Sequence, residues 1–133
     1  MWHMAQKAIE VILARQLASY LGLPVFIVDP DGTLLFYNDP AEAILGQRFA
    51  ETGELPMAAW STRFRPTELD GSALPPEALP LVIALRDRQP AHRDMLIVGL
   101  DGERRHIEVT AFPLIGQAGR FLGGVAIFWE RTP

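Results

Sequence analysis

The first stretch without glycine or proline, residues 4–21, places large apolar side chains at Ile9, Ile12, Leu13, Leu17, Tyr20 and Leu21, the spacing of one side of a helix. Gly22 follows, a residue suited to the left-handed conformation just past a helix end. Ala8, Val11, Ala14 and Ala18 widen the apolar stripe beyond what one packing surface needs, so a second contact, with another copy of the chain, is expected of this helix. From Pro24 the pattern becomes β-rich. Val25 to Val28 and Thr33 to Tyr37 flank Asp29-Pro30-Asp31-Gly32, which offers the capping side chain, fixed φ and positive φ of a hairpin turn. Asn38 then reads as a helix cap, with Pro40 in the first turn, Ala41 to Leu45 as the body and Gly46 as the stop.

Between Gln47 and Pro80 periodicity fades and prolines and glycines recur, which predicts short helical turns and loops. A buried helix is expected from Glu77 to about Arg88, with Pro80 early enough to be tolerated. The last third is β again: Asp94 to Leu100, a turn at Asp101-Gly102-Glu103, Arg104 to Leu114, a turn at residues 117–120, and Phe121 to Trp129. Helix, hairpin, helical middle and β-meander give an α+β class with antiparallel pairing.

Composition narrows the function. At 133 residues, 49% apolar and 21% charged, the chain has the make-up of one globular domain. Twelve basic against 16 acidic side chains give a net charge of -4, so no global positive field favours nucleic acid or an anionic membrane as partner. The absence of cysteine excludes disulfides, thiolate metal sites and cysteine-linked chromophores. No apolar run approaches the roughly 18 residues of a membrane span and no signal-peptide order opens the chain, so a cytoplasmic location is expected.

The strand, Asp-Pro-Asp-Gly turn and strand ending in Asn38, with the Pro40 to Gly46 helix after it, resemble a PAS domain. So do Leu69-Asp70-Gly71 through Leu79-Pro80 to Leu85-Arg86, and Asp101-Gly102 through Glu130-Arg131-Thr132. Together these pieces span residues 21–132, and the middle one is similar to PAS domains attached to bacterial histidine kinases and PP2C-type phosphatases. The resemblance implies an antiparallel sheet of about five strands cupped over the helical middle, with a pocket between them. It also implies an N-terminal helix that covers the sheet or pairs with a partner. Residues 1–22 are therefore read as this helix and 23–133 as the PAS-like domain. Ile9, Ile12, Leu13, Leu17 and Tyr20 are its expected dimer contacts. Where the family commonly closes with Asp, an aliphatic residue and Thr, this chain has Glu130-Arg131-Thr132, so the effector is either attached or a separate chain.

The family pocket would be lined by Leu35, Tyr37, Ile44, Leu85, Ile97, Val109 and Ile127, chosen from strand alternation and helix faces, with Trp60 and Trp129 at its rim. Such a lining suits a small apolar ligand, if one is held. No cofactor is the first expectation. The histidines, His3, His92 and His106, lack metal-ligand spacing, and the helix on which haem-binding PAS domains carry their iron ligand has none, although His92 lies just beyond it. Non-covalent flavin stays open. His106 and Glu108 share one strand face and would make an acid-base pair only with an orienting third group. The arginine pairs 63/65, 86/88 and 104/105 are interleaved with acids and read as surface. The sequence reads as a non-catalytic sensory module of two-component type that dimerises and regulates an effector. Its alternatives are a haem or flavin sensor and a small isomerase-like enzyme that would need Asp39, His106 or Glu108 inside the pocket.

Overall fold

The computed structural model describes residues 9–131. Helix α1 runs Ile9–Tyr20, and the expected start at residues 4–8 lies outside the described residues. Strands β1 (Val25–Val28) and β2 (Leu34–Tyr37) form the first hairpin. Its turn closes as expected: Asp29 Oδ1 accepts from the backbone N–H groups of Asp31 and Thr33, and Gly32 takes φ 89°. Helix α2 spans Asp39–Leu45, and Gly46 ends it in the left-handed conformation.

The irregular middle holds two short helices, α3 (Phe49–Thr52) and α4 (Met57–Arg63). The helix expected from Glu77 is split: a 3-10 turn at Pro76–Ala78 precedes α5, Pro80–Asp87. Proline has no N–H to join two turns, but it fits the first turn of the second, where that N–H would be unsatisfied anyway. Strands β3 (Ala91–Val98), β4 (Arg104–Ile115) and β5 (Phe121–Glu130) complete the chain. β3 begins at Ala91 rather than Asp94, because Ala91 already pairs with Ala111 along the full length of the hairpin.

The sheet is five-stranded and antiparallel in the order β2-β1-β5-β4-β3, so the expected α+β class and meander are those of the structure. Alternation sends Ile107, Val109 and Ala111 of β4 to one face, the inner one, which packs with residues of α2, α4 and α5 in a single core. On the outer face α1 packs Ala14 and Ala18 on Val25, Ile27 and Val125, and Val11 on Leu35 and Leu122. Val11 and the alanines of α1 are thus the apolar residues that meet the sheet, and its large apolar side chains Ile9, Ile12, Leu13, Leu17 and Tyr20 point away. β5 crosses β1 closely at Gly123, with φ 132°, where an added Cβ would lie 2.0 Å from the Val28 carbonyl oxygen.

Candidate functional site

Between the inner face of the sheet and the helices lies a cavity of about 90 Å³. β1, β5, β4 and β3 give it Phe26, Ala126, Phe128, Ile107, Val109, Met95 and Ile97 as a floor. Trp60, Ser61 and Phe64 come from α4 and the residue after it, and Leu79, Pro80 and Leu81 from the start of α5. Ser61 carries the one side-chain hydroxyl among these lining residues. The space is smaller than the engineered apolar cavity of about 150 Å³ that binds benzene, and well below the several hundred Å³ of common ligand sites.

The cavity walls are fixed by hydrogen bonds made at their far ends. The Trp60 indole N–H donates to the Gly32 carbonyl at 2.7 Å, which ties α4 to the first hairpin turn while the ring packs edge-on against Phe26. Beside it, Tyr37 stacks on Phe26 with ring centroids 6.0 Å apart. Its hydroxyl donates to the Gln47 carbonyl at 2.7 Å and meets Thr52 Oγ1 at 2.8 Å. Burial pushes the Tyr37 phenol above its usual range.

Asn38 joins this core to the helix behind the sheet. It is 2% exposed. Its Oδ1 accepts from Val25 N and Ala41 N, and its Nδ2 donates to the Ala18 and Leu23 carbonyls, both at 2.8 Å. One side chain thereby caps α2, holds the start of β1 and anchors the last turn of α1. At its other end α1 is held by Glu10, whose carboxylate accepts from Gln117 N and faces Arg120; the backbone contacts hold that carboxyl below its usual range. The opposite side of α1 is bare: Ile9, Ile12, Leu13, Leu17 and Tyr20 are between 50% and 81% exposed.

Of the residues expected to line a pocket, Ile97 and Val109 do so. Tyr37, Ile44 and Leu85 belong to the same inner core without reaching the cavity. Leu35 and Ile127 are corrected to the outer face, where they pack with the groups that meet α1. Ile127 has the wrong parity: Val109 pairs with Phe128, so Phe128 and Ala126 are the inward residues of β5. Leu35 is displaced by a bulge, since Ile27 pairs with Phe36 but Val28 pairs with Leu34. Phe26, Leu45, Phe64, Met95, Leu81 and Ile107 were missed, and the inward parity of Val109 was the signal that leads to Ile107. Trp60 lines the cavity; Trp129 stands on the outer face near His92.

The other chemical candidates lie away from the cavity. His92 is exposed at the start of β3 and shares a hydrogen bond of 2.8 Å with Thr110 Oγ1. His106 and Glu108 are on the outer face, and Asp39 is exposed at the start of α2. His3 is outside the described residues. Arg86 pairs with Asp87, Arg105 with Asp101, and Arg88 covers the Phe121 ring at 3.6 Å.

A family model described as PAS fold matches residues 19–133. Among solved structures, the PAS domain of a Colwellia psychrerythraea protein superposes with a TM-score of 0.64 at 14% identity, covering 92% of this chain and 97% of that one. The PAS domain of nitrogen regulation protein NR(II) from Vibrio parahaemolyticus gives 0.62 at 19% identity over 90% of this chain and 98% of its own. A Rhodobacter sphaeroides LOV protein gives 0.68 at 12% identity over 92% of this chain and 68% of its own. No curated protein sequence matches the chain.

Proposed function

This chain belongs to the PAS fold family, and from that membership we propose that it is a non-catalytic sensory module, paired with a second copy through α1, that regulates an attached effector or a separate partner protein in the cytoplasm. The observation that carries the reading is the two-sided α1. Val11, Ala14 and Ala18 hold it to the sheet, while the larger Ile12, Leu13, Leu17 and Tyr20 stand in water on the other side. Exposed apolar side chains clustered on one helix face fit the seam of a helix pair. In this reading α1 acts as the coupling helix and the domain that follows it as the sensor.

An apolar molecule smaller than benzene is the stimulus that fits both the lining and the volume of the cavity. It acts by binding one arrangement of the helix pair better than another, since a ligand shifts an equilibrium only by its differential affinity. The route from cavity to α1 runs through β1, whose Phe26 lines the cavity and whose start is held by Asn38. Haem and flavin do not fit this cavity: its volume is too small and its lining offers no imidazole to an iron. Asp39, His106 and Glu108 outside the cavity support the non-catalytic reading.

Gel filtration with light scattering tests the pairing. The parent chain is expected at twice its 14.8 kDa mass, and the double variant Ile12→Glu with Leu17→Glu at the monomer mass. An unchanged mass in the variant removes α1 as the pairing element. Native mass spectrometry of the gently purified protein is expected to show a retained small molecule, lost when Val109→Phe fills the cavity.

A further inference from the structure

The half of the outer face that α1 leaves uncovered carries a polar ladder across β3 and β4, with His92 opposite Thr110, Asp94 opposite Glu108 and Leu96 opposite His106. A ring nitrogen of His92 and one carboxylate oxygen each from Asp94 and Glu108 lie within 4.8 Å of one another. Two carboxylates directly opposed on an antiparallel pair repel each other. The groups set against them are incomplete partners. Arg131 pairs with Glu108, whereas His106 Nε2 stands 3.9 Å from Asp94 Oδ2, beyond hydrogen-bond reach. Asp94 Oδ1 and His106 Nε2 are buried atoms without a hydrogen-bond partner among the described residues.

We propose that His92, Asp94 and Glu108 bind one divalent transition-metal ion of the Zn²⁺ class on this face. An ion between the strands offsets the carboxylate repulsion and gives Asp94 Oδ1 the partner it lacks. The imidazole donor selects a borderline transition ion over Mg²⁺ or Ca²⁺, which prefer oxygen throughout. The hydrogen bond between His92 Nδ1 and Thr110 Oγ1 orients the ring and leaves Nε2 for the metal, as metal-bound histidines are commonly held by their second nitrogen. Bonds of about 2.1 Å require donors about 3.4 Å apart in tetrahedral geometry, so donors that now stand farther apart, up to 4.8 Å, close inward on binding. Glu108 reaches the ion either with its free oxygen or by leaving Arg131. Three protein donors leave a coordination position open to water or to a ligand from outside.

The three positions lie within a single hairpin, at residues 92, 94 and 108, and only the register that pairs Asp94 with Glu108 brings the donors together. The site does not depend on the pairing of α1 or on occupancy of the cavity, so failure of either proposal leaves the other standing.

Titration of the full chain with ZnCl₂ by calorimetry, with His3→Ala in the background to remove the histidine outside the hairpin, is expected to show one ion per chain. His92→Ala or Asp94→Asn is expected to weaken binding at least tenfold, with folding checked by circular dichroism. Arg131→Gln is expected to tighten it by freeing Glu108, a direction that a purely structural ion pair would not produce. Cu²⁺ is expected to quench Trp129, whose ring centroid lies 6.4 Å from that of His92, and His92→Ala is expected to abolish that quenching. Equal Zn²⁺ affinity in the parent, His92→Ala and Asp94→Asn chains overturns the site.

Discussion

The two faces of the sheet are built on opposite plans. The inner face is packed from β2 to β3 by aromatic and aliphatic side chains and closed by α2, α4 and α5. The outer face is covered by α1 over β1, β2, β5 and the Phe112–Leu114 end of β4, and beyond that helix it carries His92, Asp94, His106, Glu108 and Trp129. The inner face gains its stability from burial, and its cavity is what remains where large rings meet without filling the space. The outer face is joined to α1 through small residues, so the helix sits close to the sheet yet keeps its bulky side chains free. A sheet with one closed face and one partly open face can hold a core on one side and offer contacts on the other.

Breaking the inner face is expected to cost most. Phe128→Ala enlarges the existing cavity and is expected to lower stability by about 4 kcal/mol, read from urea unfolding. A cost under about 1 kcal/mol would mean that the inner face is loosely packed and that the two faces differ less than described.

Asn38 belongs to both sides, and its loss is expected to come second. Asn38→Ala leaves the Ala18 and Leu23 carbonyls and the Val25 and Ala41 N–H groups without their partner, an expected loss of about 3 kcal/mol. Hydrogen exchange sharpens the point: amides in the last turns of α1 are expected to lose protection before those of β4 and β5. If α1 and the central strands lose protection together, the outer helix is not a separable unit.

The smallest effect on stability is expected at Ile12 and Leu17. Either one changed to glutamate is expected to shift the unfolding free energy of the monomer by no more than about 0.5 kcal/mol, because both side chains are solvated there. The paired charges are nevertheless expected to halve the mass in solution. A large destabilisation of the monomer would place these side chains in a core and remove the contrast between the two sides of α1.

Acid is expected to open the far end of the β3–β4 hairpin. Asp101 accepts two hydrogen bonds from Arg105, whose Nη1 also donates to the Ile44 carbonyl, and the Arg105 guanidinium holds the Asp101 carboxyl below its usual range. A carboxyl depressed in the folded state contributes stability above its unfolded pKa and loses it as pH falls through the folded value. Chemical-shift titration of the Asp101 side chain is therefore expected to give a midpoint below that of a free aspartate, and Arg105→Ala is expected to raise it.

Much of the layout was legible because local chemistry decides it. The Asp29 turn, the Asn38 cap with its helix stopped at Gly46, and the β4 alternation of Ile107, Val109 and Ala111 all rest on neighbours within a few residues. The cavity was only partly legible. Ile97 and Val109 were found by alternation, but a bulge carried Leu35 to the other face, and the parity of β5 depends on a partner strand that local sequence does not name.

Spacing along the chain, turn chemistry and composition determined by themselves that this is one α+β domain with an antiparallel meander and an amphipathic leading helix. Tertiary structure alone decided which side of that helix meets the sheet, because Val11, Ala14 and Ala18 permit a close approach that Ile12 and Leu17 would block. It also decided that His92, Asp94 and Glu108 share one spot, since strand register converts residues up to 16 positions apart into neighbours. Local sequence fixes the conformation of a segment, whereas contacts between segments depend on register and on the sizes of the side chains that meet.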